Sequence, residues 1–168
     1  MELLVVVALV GIVSSFAVGS FRRFQARALG RASIEDLLVA LQRARSDAVA
    51  HDHRSGVLIA PATANTFQDG SGVSRQGVKY LRFVDSDQGS VGVFDASDTV
   101  LQAWTSLGRN VFVRSIASSG LTAGATDLVY HTDGSTDNDL SLVLGLADFS
   151  DTFRIGLLPA TGLATLER

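Results

Sequence analysis

The sequence predicts an α+β protein, one long N-terminal α-helix packed on a largely antiparallel β-sheet. Three observations carry that prediction. No proline occurs before Pro61, and apolar residues recur at helical spacing as far as Ala48, so nothing interrupts a helix there. After His53 the texture changes to short runs rich in Val, Leu, Ile and Phe, separated by Gly, Ser, Asp and Asn clusters. The intervals between those runs are too short for helical crossovers, which leaves antiparallel pairing.

The helix divides by polarity. Leu3 to Val18 reads LLVVVALVGIVSSFAV, uncharged, with Ser14 and Ser15 as its polar interruptions. Its apolar side chains include Leu3, Leu4, Val5, Val6, Val7, Leu9, Val10, Ile12, Val13, Phe16 and Val18. At 1.5 Å per residue this run spans roughly 24 Å, a little short of a hydrocarbon core of about 30 Å. A secretory signal peptide would want a basic start, where Glu2 stands instead. A buried core helix seldom shows apolar residues on every face at a chain terminus. A slightly short membrane helix fits best. Glu2 at its mouth is costly in lipid without a partner, and either rests among headgroups or awaits a positive charge from another subunit.

Beyond Phe21 the helix becomes amphipathic. Ile34, Leu37, Leu38, Leu41, Ala44 and Ala48 share a face, whereas Glu35, Asp36, Gln42, Arg43 and Asp47 occupy others. The expected organisation is a membrane or filament-core helix over 1–21, an amphipathic continuation over 22–53, and a β-rich globular domain over 54–168. A single helix from about Glu2 to about Ala50 would be roughly 75 Å long. Gly11, Gly19 and Gly30 weaken it locally and permit bends.

Expected strands lie at Gly56–Ala60, Val78–Val84, Val91–Phe94, Thr99–Trp104, Asn110–Ile116, Asp127–His131, Leu140–Leu146, Thr152–Leu158 and Gly162–Leu166. The stretch Thr66–Gly77 reads as a long flexible loop. A net charge of −3 and a pI near 5.5 provide no global basic field for nucleic acid. The absence of cysteine excludes disulfides, thiol catalysis and thiolate metal sites.

Met1-Glu2-Leu3-Leu4-Val5-Val6-Val7-Ala8-Leu9-Val10-Gly11-Ile12 resembles the N-terminal methylation segment of type IV pilins and type II secretion pseudopilins. In that family a peptidase cuts after a glycine, the exposed residue is methylated, and a glutamate follows four residues later. Glu2 matches that glutamate. The leader, the glycine, the phenylalanine and the next two residues are not in this sequence, which points to a start assigned at an internal methionine or to trimming. Arg22 and Arg23, read by the positive-inside rule alone, belong in the cytoplasm. The resemblance implies the reverse orientation, because family members carry basic residues in the leader. The passage Leu38–Val49 with the strand at Val57–Ile59, and the C-terminal order Leu128–Ser135, Leu140–Leu146, Thr152–Leu158 and Thr161-Gly162, are similar to the GspH/FimT family.

Asp133, Asp137 and Asp139 lack the spacing of a calcium loop and read as a hairpin turn, and Asp85, Asp87, Asp95 and Asp98 are no better a calcium set. His51 and His53 diverge on a helix and could converge only in an extended segment, with no third ligand apparent. No G-x-S-x-G occurs, and Gly70-Ser71-Gly72 has no strand-to-helix phosphate context. Some FimT-like relatives bind DNA through arginines after the C-terminal glycine turn; here only Arg168 is basic, beside Glu167, so DNA is not an expected partner.

The expectation is therefore a non-enzymatic minor pseudopilin of a type II secretion pseudopilus, without cofactor or metal. It would be anchored once in the bacterial inner membrane with its C-terminal domain in the periplasm. Its partners would be other pilins, the inner-membrane assembly platform and membrane lipid, with Glu2 pairing with the N-terminus of a neighbouring subunit. A FimT-like minor pilin serving adhesion, motility or DNA uptake, and a solitary anchored binding domain, are the alternatives.

Overall fold

The computed structural model describes residues 2–69, 71–86, 89, 90, 92–119, 121, 122, 125–147 and 149–167, with side chains outside the description at 2–5, 8–17, 109, 121 and 122. A single helix, α1 (Glu2–His51), runs without interruption for 50 residues. It ends where Asp52 turns into the left-handed region at φ 52°, and the sheet begins three residues later.

Eight strands follow: β1 (Ser55–Gln68), β2 (Ser74–Val84), β3 (Thr99–Ser118), β4 (Leu121–Thr122), β5 (Ala125–Tyr130), β6 (Leu140–Leu146), β7 (Thr152–Leu158) and β8 (Leu163–Glu167). They form one antiparallel sheet in the order β4-β5-β1-β2-β3-β6-β7-β8. Period-two alternation assigns one side chain in two to the helix-covered face. Val57 and Ile59 of β1, Val78 and Tyr80 of β2, and Leu142 and Leu144 of β6 join the core beneath α1. Leu81, Phe83 and Val129 form a smaller cluster, with half-buried Leu58 and Phe94 packed against it.

Three departures from the predicted strands have local causes. Residues 66–77 are not a long loop: β1 and β2 continue as a hairpin paired to Gln68↔Ser74. Asp69 closes its tip, Oδ1 accepting from Ser71 N–H and Val73 N–H while Oδ2 accepts from Arg75 Nε at 2.8 Å. The two strands expected at Thr99–Trp104 and Asn110–Ile116 are one. Val78 pairs with Leu107 and Gly77 with Phe112, so residues 108–111 bulge out, with Gly108 at φ 24°. That bend transfers β3 from β2 to β6.

The expected strand Val91–Phe94 is absent over Gly92–Phe94, and Val91 lies outside the described residues. Its apolar pattern serves to cap the sheet, Phe94 packing edge-on against Phe83 with centroids 5.0 Å apart. Carboxylates take the place of a ladder: Asp85 accepts from Gly92 N–H, Asp95 from Ser90 N–H, and Asp98 from Ser86 N–H and Asp95 N–H.

Candidate functional site

The helix α1 is packed differently along its length. From Gly30 onward α1 lies on the sheet. Gly30 is the landing point: a Cβ there would stand 2.5 Å from Leu146 Cδ2, so the absent side chain allows the close approach. Ile34, Leu37, Leu41, Ala44 and Ala48 are fully buried on that face, Ala40 nearly so, and Leu38 is half-buried against the same core. Each buried leucine or isoleucine contributes about 1.5–3 kcal/mol, so this stripe holds the outer helix to the domain.

Polar contacts fix the helix register against the sheet. Arg82 of β2 pairs with Asp47, and Arg45 Nε donates to the Gly134 carbonyl at 3.3 Å. Near the start of the docked half, Arg27 pairs with Asp151 at 2.8 Å, and its guanidinium stands 4.7 Å above the Phe149 ring. None of these partners is near in sequence, and no local pattern announces them. Gly30 was visible in the sequence, though as a weak point rather than as a contact.

Before Gly30, Arg27 with its contacts to Asp151 and Phe149 aside, the large apolar side chains among the described residues are exposed. Val6, Val7, Val18, Phe21, Phe24 and Leu29 expose 52–69% of their surface. The side chains of Glu2, Leu3, Leu4, Val5, Leu9, Val10, Ile12, Val13 and Phe16 lie outside the described residues. Among the described residues, no helix is long and apolar enough to cross a membrane.

Several of the remaining polar groups are engaged locally. Asp133 accepts from Ser135 N–H and Oγ, and these bonds hold its carboxyl below the ordinary value of 3.8. Asp139 is lowered likewise by the Ser119 N–H and hydroxyl, while Asp137 lies 3.0 Å from His131 Nε2. Asp127 is shifted upward by its burial. His51 and His53 do not diverge: the left-handed Asp52 brings their rings into a stack 5.6 Å apart. Among the described residues no cluster of three metal-ligating side chains is present. After the Gly162 turn, β8 places Glu167 3.9 Å from Arg154, and Arg168 lies outside the described residues.

One long N-terminal helix packed along its outer part on an antiparallel sheet is a pilin-like fold. A family model described as "Type II transport protein GspH" matches residues 33–160, and the chain belongs to this GspH/FimT pilin-like family. The matched segment begins within the docked half of α1 and includes the sheet through β7. Two crystal forms of the type IV minor pilin FimU from Pseudomonas aeruginosa are similar in structure. One aligns at 14% identity and a TM-score of 0.46, covering 82% of this chain and 92% of that one. The other aligns at 14% and 0.48, covering 86% and 92%. No curated protein matches the sequence. Family membership gives the chain a minor pseudopilin or pilin role, in which subunits assemble with other pilins.

Proposed function

We propose that this chain is a minor pseudopilin of a type II secretion pseudopilus, a structural subunit that helps initiate its assembly rather than an enzyme. The observation that carries this reading is the split of α1 at Gly30, with a docked stripe on one side and exposed Val18, Phe21, Phe24 and Leu29 on the other. The description of the matched family, a type II transport protein, is consistent with this reading.

The physics of the bare half accounts for assembly. Apolar side chains over Leu3–Val18 are satisfied equally by inner-membrane lipid and by the helices of neighbouring subunits. The subunit can therefore leave the bilayer for a filament without exposing that surface to water. The globular domain stands in the periplasm, and the inner-membrane platform moves the rod between the two environments. Glu2 pairs with the N-terminal amine of a neighbour; in apolar surroundings such a pair sets register more than it adds stability.

The test uses the chain expressed behind a cleavable prepilin leader, with and without Glu2→Gln. Crosslinking through α1 to other pilins is expected for the unsubstituted chain and should fall about tenfold in the variant, the loss of one charge-assisted pair. Undiminished crosslinking refutes the Glu2 pairing, and an absence of pilin crosslinks in the unsubstituted chain refutes the filament role. Loss of secreted cargo on deletion, with retractile pili intact, separates the secretion reading from that of a pilus subunit.

A further inference from the structure

The neck of the molecule, where the bare helix meets the domain, carries chemistry that the filament role does not use. Arg22 and Arg23 are exposed, and among the described residues neither has a carboxylate partner. The next arginines along the helix are both engaged, Arg27 with Asp151 at 2.8 Å and Arg31 with Glu35 at 2.7 Å. Beside the unpaired arginines lies an open cleft of about 850 Å³, lined by Ser20, Arg22, Arg23, Phe24, Arg27 and Phe149. One wall is the helix. The other is the loop ring of Phe149, held in place by Arg27 above it.

We propose that this cleft binds the phosphate headgroup of an anionic phospholipid in the leaflet on the domain side of the membrane. The inference rests on the membrane-anchored reading of α1 and adds to it a specific lipid contact. Height along the helix is the first argument. Arg22 follows Leu3 by a rise of roughly 28 Å, close to the hydrocarbon thickness of about 30 Å, so its guanidinium emerges among headgroups. Composition is the second. Phe21 and Phe24, 60% and 69% exposed, place apolar rings at the acyl boundary beside two unpaired cations. Guanidinium groups offer paired N–H donors that match phosphate oxygens, and Ser20 adds a hydroxyl to the same cleft. Arginines directly after an apolar run oppose export of the domain that follows them. A phosphate contact gives the pair a use on the far side.

Native mass spectrometry of the full chain in detergent, with phosphatidylglycerol and phosphatidylcholine of matched acyl chains in equal amounts, tests the proposal. The chain should retain phosphatidylglycerol about tenfold over phosphatidylcholine, and R22Q/R23Q should reduce this to about twofold or less, the scale expected of two basic side chains at an anionic surface. R43Q, a change at an exposed arginine in the docked half, should leave the preference intact. No preference in the unsubstituted chain, or one that survives R22Q/R23Q, overturns the proposal. Inorganic phosphate is the second probe: binding it without preferring the lipid marks a free-anion site and overturns the proposal. A double variant that keeps lipid retention but loses crosslinks to other pilins assigns the arginines to a neighbour's carboxylates, and also overturns it. Flotation with pure phosphatidylcholine vesicles after an alkaline wash reads the anchor separately. A chain that floats but shows no headgroup preference sinks only this inference; a chain that does not float sinks the anchored reading as well.

Discussion

Gly162 shows how much a single position can carry. It turns the chain between β7 and β8 at φ 60°, and a Cβ there would run into the Gly134 carbonyl oxygen and press on the Tyr130 ring. Gly134, also at positive φ, receives the Arg45 bond, so the two turns and the helix lock together at one point. Gly162→Ala should cost about 2–4 kcal/mol in urea unfolding of the full chain in detergent, combining backbone strain with a clash against main chain. Gly72→Ala, at φ 77° with open space around it, should cost only about 1 kcal/mol. Titration gives a second expectation. Asp69, Asp95, Asp133 and Asp139 have carboxyls lowered chiefly by hydrogen bonds, from Arg75, Ser97, Ser135 and Ser119 respectively. A lowered folded-state value means that their contribution is present above 3.8 and is lost as pH falls through the lower folded values. Amide exchange at Ser71, Ser97, Ser119 and Ser135 should therefore accelerate below pH 3.8, while β6 stays protected.

Among the elements, α1 is two surfaces on one rod. Leu37→Ala removes a fully buried side chain from the docked half and should destabilise the domain by about 2–5 kcal/mol. Leu29→Ala acts on a side chain 69% exposed in the bare half, and should change unfolding by less than about 0.5 kcal/mol while weakening crosslinks to other pilins. The periodicity of the amphipathic stretch is plain in the sequence because helix geometry maps spacing directly onto a face. Strand boundaries were less legible. Thr99–Trp104 and Asn110–Ile116 read as two strands, but a bulge lets β3 bend and exchange partners without ending. The apolar Val93 and Phe94 read as strand, yet their backbone sits in a loop tied by side-chain carboxylates.

For the whole molecule, the division of labour between rod and sheet follows from hydrophobic pattern, and pattern is a property of sequence. The uncharged run Leu3–Val18, the helical stripe after it and the short strands beyond His53 determined the α+β class, the single long helix and the antiparallel pairing. Each depends on neighbours a few residues apart, which is why it can be read without coordinates. The tertiary structure decided where the helix lands on the sheet, at Gly30 against Leu146, and which distant charges hold it, Arg27 to Asp151 and Arg82 to Asp47. It also decided which arginines were left over at the neck. Those outcomes join residues 35 to 124 positions apart. Only closure of the chain on its core brings such partners within a few ångströms, and no local spacing encodes them.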